Sequence, residues 1–278
     1  MDDRRENREA MPAGPVALFG IPWDRNASFL RGASLGPGRI REALHSGSSN
    51  LCTEAGQDLS RDPRWRDLGD LDLDGEKEPL KRVEEEVTRI LSRGFRLLSL
   101  GGDHSITYPI LRAYSRTFPE LTVLQLDAHP DLYDELDGNP FSHACPFSRI
   151  MEEGRISRLV QVGVRSITPH QIEQARRFGV EVVAMQDWHM RRDLKLTGAL
   201  YLSLDLDVLD PAFAPGTSHN EPGGFTSREV LGIVQGLKVP LVGADIVELN
   251  PLRDPTGITA MLAAKLLKEI LGRMLEEM

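Results

Sequence analysis

The chain has 278 residues, 40% of them hydrophobic, with a formal net charge of −9 and an isoelectric point near 5.4. That length supports one large α/β core, while the acidity argues against nucleic acid or an anionic membrane as a partner and favours cationic small molecules. No segment holds the ~18 consecutive apolar residues of a membrane-spanning helix. Residues 1–9 are charged and lack the apolar stretch of a secretory signal. Two cysteines, Cys52 and Cys145, make no disulfide framework, so a cytoplasmic location is the expectation.

Residues 1–14 are polar and end in Pro12 and Gly14, which predicts a disordered arm ahead of a single domain over residues 15–278. The first strand is expected at Val16–Ile21. Pro22–Gly38 then forms a long Gly- and Pro-bearing loop of the kind that walls a site. A short helix begins over Ile40–Leu44, residues 46–66 show no period, and a short strand falls near Arg66–Leu71. Val83, Val87, Ile90 and Leu91 recur at three- and four-residue spacing, which predicts an amphipathic helix over Lys81–Arg93 stopped by Gly94.

From there strands and helices alternate. Strands are expected at 96–100, 122–127, 159–164, 180–185, 199–206 and 239–247, with helices over 105–117 and 147–153 and from Thr259 onward. Thr168, Pro169 and Gln171 read as a capping box with proline in the first turn, and Thr226 with Glu229 opens another helix. Repeated strand–helix units predict a three-layer α/β/α sandwich around a mostly parallel sheet of about eight strands. Ligands of such sheets bind beyond the carboxyl ends of the strands.

Three of those ends are polar. The run Thr122–Leu126 leads into Asp127, His129 and Asp131, whose alternate side chains share a face. The strand at 199–206 leads into Asp205, Asp207 and Asp210, and the strand at 96–100 into Gly101, Gly102, Asp103, His104 and Ser105. A single Asp at a strand end is an ordinary helix cap or turn former, the reading kept for Asp103 and Asp210. Asp127, Asp131, Asp205 and Asp207 converging together would repel and desolvate one another, and a bound divalent metal removes that cost. Oxygen-rich ligands with some imidazole and no thiolate suit an ion such as manganese rather than structural zinc.

These motifs carry a resemblance. Gly-Gly-Asp-His-Ser at 101–105, Asp-Ala-His-Pro-Asp at 127–131, Ser-Leu-Asp-Leu-Asp-Val-Leu-Asp-Pro at 203–211, Ala-Pro-Gly-Thr at 214–217 and Asp-Ile-Val-Glu at 245–248 resemble the ureohydrolases, arginases and agmatinases among them. The wording Ser-His-Asn-Glu-Pro-Gly-Gly at 218–224, with Phe-Ser-His-Ala at 141–144, is closest to the plant-type branch. The resemblance implies an arginase-like fold with two Mn(2+) ions. One is expected on His104, Asp127, Asp131 and Asp205, the other on Asp127, His129, Asp205 and Asp207, with Asp127 and Asp205 bridging. Two such ions about 3.5 to 4 Å apart lower the pKa of water enough to attack a guanidinium carbon near neutral pH.

The resemblance also implies that Glu248 holds the guanidinium and that His143 moves a proton to the leaving nitrogen, with Asp131 counted among the catalytic residues as well as the ligands. Asn139, His219 and Glu221 are candidate contacts for the far end of the substrate, although Glu221 equally suits a turn held by Pro215, Gly216 and Pro222. Arg31, His219 and Arg165 are candidate partners for a substrate carboxylate. Arginases of the animal type hold the amino acid with an Asn shortly after the metal strand; here Tyr133 stands at that position. The implied reaction releases urea from L-arginine, the alternative being agmatine or another guanidino compound. Assembly into homo-trimers or homo-hexamers is implied by the family. Two other readings compete: a Cys145 thiolate paired with His143, which leaves the clustered carboxylates without a use, and a metal-binding regulator without turnover.

Overall fold

The computed structural model describes residues 14–190 and 193–276, so the arm expected at the N-terminus lies, but for Gly14, outside the described residues. Eight strands form one sheet: β1 (Val16–Ile21), β2 (Trp65–Asp70), β3 (Arg96–Gly101), β4 (Thr122–Leu126), β5 (Arg158–Val164), β6 (Glu181–Ala184), β7 (Leu200–Asp205) and β8 (Leu241–Val247). Their order is β2-β1-β3-β8-β7-β4-β5-β6, and every neighbouring pair is parallel. The sheet is thus wholly parallel, as its near-continuous Val, Ile and Leu runs require when both faces are covered.

Alternation within each strand divides the core in two. Val16 and Leu18 of β1 point into one apolar cluster, and Ala17, Phe19 and Ile21 into the other. The first cluster is closed by α1 (Gly36–Leu44), α6 (Ser227–Gln235) and α7 (Ile258–Leu275), through Ile40, Val230, Leu267 and Ile270 among others. The second is closed by α2 (Pro79–Ser92), α3 (Thr107–Thr117), α4 (Pro146–Glu152) and α5 (Pro169–Phe178), through Val87, Ile110, Phe147 and Ala175. Each such fully buried aliphatic or aromatic side chain contributes roughly 1.5–3 kcal/mol. The capping boxes read at Thr168/Gln171 and Thr226/Glu229 are both formed.

Register places the chemistry. Ser99 of β3 pairs with Asp245 of β8, Asp245 with Ser203 of β7, Ser203 with Gln125 of β4, and Gln125 with Gln161 of β5. A row of five fully buried polar side chains therefore crosses the middle of the sheet. Two residues further on, on the same face, stand Asp127 and Asp205. The strands β3, β8, β7 and β4 are contiguous, so the loops that leave their carboxyl ends meet over one small area.

Candidate metal centre

His104 opens a single 3-10 turn after β3, capped by Asp103, whose side chain accepts from the Ser105 backbone N–H at 3.1 Å. The His104 Nδ1 lies 3.1 Å from Asp127 Oδ2, 3.0 Å from Asp131 Oδ2 and 3.1 Å from Asp205 Oδ2. A second group shares Asp127: His129 Nδ1 is 3.6 Å from Asp127 Oδ1 and 3.0 Å from Asp207 Oδ2. Ligand atoms of His104, Asp127 and Asp131, and of Asp127, His129 and Asp207, are close enough in each trio to hold one ion. The six expected ligands are brought together, with Asp127 common to both groups and the two oxygens of Asp205 facing His104 and the Asp207 backbone N–H.

The donor set fits divalent cations. His104 Nδ1 is buried with no hydrogen bond in line, although three carboxylate oxygens surround it. Burial and the neighbouring Asp127 push the Asp131 carboxyl up to about 6. Burial, with Asp207 and Asp127 beside it, drives Asp205 well above the carboxylate range. Burial opposes charge on His129, yet Asp207 and Asp127 raise its imidazole to about 12. Carboxylates that resist ionisation beside imidazoles that attract protons mark a pocket short of positive charge, which ions held by oxygen and nitrogen donors supply.

The polar row beneath the site orients the ligands. Asp245 accepts from Ser203 Oγ at 2.8 Å, Tyr201 Oη at 2.8 Å and Thr107 Oγ1 at 2.9 Å. With its hydrogen given to Asp245, Ser203 Oγ is an acceptor for His104 Nε2–H at 2.9 Å. That bond fixes the tautomer that leaves a lone pair on Nδ1, the outer-shell arrangement typical of ligating histidines. On the other side, Gln125 Nε2 donates to Asp127 Oδ2 at 2.7 Å and to the His129 carbonyl at 3.1 Å. Gln161 Nε2 in turn donates to Gln125 Oε1 at 2.6 Å. Neither this row nor its roles were read from the sequence. The available signal was a lone polar residue two positions before the end of several apolar strands, facing the same way as the ligand that follows it.

Across the cavity stands the pair His143 and Glu248. Glu248 follows β8 in the left-handed region (φ 67°), as does Asp131 (φ 50°); strain of this kind in non-glycine residues concentrates at functional sites. Glu248 Oε1 accepts from the His104 backbone N–H at 2.9 Å and lies 2.8 Å from His143 Nδ1. Among the described residues Oε2 accepts no hydrogen bond and keeps its acceptor capacity. Burial works against the His143 imidazolium, but the Glu248 carboxylate raises its pKa to about 9.

The cavity between these groups measures about 150 Å³, and its outer wall includes Tyr133, Ser166, Thr168, Gln171 and His219. His219 lies against the rings of His129 and His143, at centroid distances of 5.8 and 5.3 Å. Two expected substrate contacts are placed elsewhere. The Asn139 amide bonds Asn26 Oδ1 at 3.2 Å and the Phe141 backbone, and lines a neighbouring groove instead. Glu221 is exposed and absent from the wall, its carbonyl held by Arg165 at 2.7 Å.

Arg165 also donates to the carbonyls of Asp207 at 2.6 Å and Val208 at 3.1 Å, so it ties the loop together rather than facing a ligand. Asp103 and Asp210 are the cap and turn residues expected of them. Cys145 is fully buried outside the cavity wall, its thiol pushed up to about 12 by burial and by the Asp131 charge. A thiol in that state is a poor nucleophile.

A sheet of eight parallel strands with this centre on the loops of its four middle strands defines a binuclear-metal ureohydrolase. The Arginase family model matches residues 14–272, and the chain belongs to that family. It is 46% identical to Arginase 1, mitochondrial, of Arabidopsis thaliana over 93% of this chain and 81% of that protein. Identity is also 46% to Arginase 2, chloroplastic/mitochondrial, of the same plant, over 93% of this chain and 80% of that protein. Among solved structures, an arginase from Medicago truncatula superposes with a TM-score of 0.88 at 41% identity, covering 94% of this chain and 88% of that one. The resemblance to the plant-type branch is thereby established. The cytoplasmic location expected above is corrected: these relatives are named for mitochondria and chloroplasts. Acidity and the lack of a membrane-spanning run are common to cytosolic and organelle-matrix proteins, so composition had no power to separate them.

Proposed function

We propose that the protein hydrolyses L-arginine to urea and an amine with two manganese ions held by His104, Asp127, His129, Asp131, Asp205 and Asp207. The observation that carries this reading is the Glu248–His143 pair, 2.8 Å apart and facing the doubled carboxylate cluster across one small cavity. When bound, the ions supply an attacking oxygen of lowered pKa near neutral pH. Glu248 Oε2 accepts the guanidinium N–H groups, a charge-assisted contact that fixes the planar group edge-on. His143, kept protonated by Glu248 up to pH about 9, delivers a proton to the departing nitrogen. Burial of Glu248 and His143 to 4% and 7% exposure keeps bulk water from that proton. Assembly into homo-trimers or hexamers belongs to the same reading and is checked by light scattering.

Agmatine is the second reading, favoured by one observation: among the described residues the cavity wall contains no Lys or Arg, and Arg165 is committed to carbonyls. An arginine carboxylate would then be held by neutral donors such as Ser166, Thr168 and Gln171. Steady-state kinetics with both substrates at saturating manganese decide the matter. The expected result is a higher kcat/KM for arginine; a tenfold preference for agmatine would reverse the order of substrates, and no urea from either would overturn the reaction.

A further inference from the structure

His143 is held at both ring nitrogens. Nδ1 lies 2.8 Å from Glu248 Oε1, and Nε2 lies 2.8 Å from the hydroxyl oxygen of Ser28, on the long loop after β1. The same loop binds the His143 main chain, whose N–H donates to the Asn26 carbonyl at 3.0 Å. Asn26 is anchored in turn by its own N–H to Asp103 Oδ2 at 2.9 Å and its side chain to Ser105 Oγ at 3.0 Å. Burial decreases along the series, from Glu248 and His143, both buried, to Ser28, which is exposed.

We infer that Ser28 is a positioning residue for His143, holding the ring by Nε2 while Nδ1–H gives up its proton. The inference rests on the function proposed above. To give its proton to the leaving nitrogen, Nδ1–H must turn from Glu248 Oε1, so the inner restraint on the ring weakens during the transfer. The bond to Ser28, an exposed residue of the cavity wall, is on the opposite ring nitrogen and is retained. It then sets the ring plane, and a ring free to swing would lose the reach that general acid catalysis needs.

With Nδ1–H given to the leaving nitrogen, the ring is left neutral with its Nε2 proton still donated to Ser28 Oγ, so the hydroxyl holds the ring through the transfer without itself gaining or losing a proton.

The test uses the full-length manganese-loaded protein. Ser28→Ala should lower kcat about tenfold with KM within about twofold and metal content unchanged. Ser28→Thr, which keeps the hydroxyl, should restore wild-type turnover. Independently of turnover, the His143 Nε2 proton should broaden and shift in ring-labelled nitrogen NMR spectra of Ser28→Ala, but not of Ser28→Thr. Unchanged kcat and an unchanged Nε2 signal in Ser28→Ala overturn the inference, as does a loss that threonine does not repair. Covalent capture of Ser28 by a sulfonyl fluoride, with loss of turnover in both substitutions, would also overturn it, by making Ser28 a nucleophile of the Ser–His–carboxylate kind. A parent enzyme that releases no urea while the NMR difference stands removes the proposed function and leaves the positioning role.

Discussion

Replacing Ser203 by alanine removes one oxygen from the floor of the centre without touching a ligand. The parent hydroxyl is fully buried, 2.9 Å from His104 Nε2 and 2.8 Å from Asp245 Oδ1. Its loss strands a buried N–H and one carboxylate oxygen, while Thr107 and Tyr201 still serve Asp245 Oδ2. Each stranded buried group costs about 1–3 kcal/mol. Because the two belong to one network their costs do not simply add, and a fall of about 2–4 kcal/mol in metal-free stability is expected. The larger consequence is for the ions: without an acceptor at Nε2, His104 places its proton on Nδ1, toward Asp127, Asp131 and Asp205, and must lose it before ligating. Outer-shell losses of this type weaken metal affinity roughly 10- to 100-fold, or about 1.4–2.8 kcal/mol. Calorimetric titration of the apo protein with manganese measures the affinity, and thermal unfolding of the apo form measures the stability. A variant that unfolds earlier but binds manganese as tightly as the parent would refute the orienting role, and no change in either would mean that the Asp245–Ser203–His104 link is not made.

Three other outcomes are expected. Asp127→Ala or Asp205→Ala should abolish urea production and the stabilisation that manganese confers, about 2.7 kcal/mol for a parent at a hundred times its Kd, while metal-free Asp205→Ala is at least as stable as the parent because a carboxylate repelled by Asp207 and Asp127 is gone, and metal-free Asp127→Ala is less stable because it strands the Gln125 Nε2–H and the His129 backbone N–H; full manganese occupancy in either would sink the shared-ligand assignment. Cys145→Ala should turn over within a few fold of the parent and His143→Ala roughly 10²-fold more slowly, whereas an inactive Cys145→Ala with its metals intact would restore the thiolate mechanism. The Arg64 side chain hydrogen-bonds Asp62 and holds its carboxyl at about 2, so this pair stabilises the fold above the usual carboxylate range and the contribution is lost as pH falls from there toward 2. Denaturant titrations of Asp62→Asn should show a shallower acid limb than the parent, and parallel limbs would contradict the assignment.

What was legible in the sequence was local. Apolar runs such as Thr122–Leu126 and Leu200–Leu204 bear strands because a buried parallel sheet needs both faces apolar. Thr168 and Thr226 announce helix starts because a hydroxyl and a glutamine or glutamate three residues later satisfy orphan N–H groups. The candidate ligands His104, Asp127, His129, Asp131, Asp205 and Asp207 stand out because carboxylates and imidazoles at several strand ends make little sense without a cation. Tertiary structure decided the rest, since it depends on pairings between distant segments. The order β3-β8-β7-β4 and its register align Ser99, Asp245, Ser203 and Gln125, and a slip of one residue would turn each such row to the opposite face. Arg165 looked available for a substrate carboxylate until the loop after β7 folded its carbonyls around the guanidinium. Asn139, near His143 in the chain, is turned away because Asn26, 113 residues earlier, takes its amide. Ser28 reaches His143 across 115 residues. Hydrogen-bond partners this remote leave no trace in local composition or period, because they are chosen by how the sheet stacks its strands and where the loops over its carboxyl edge come to rest.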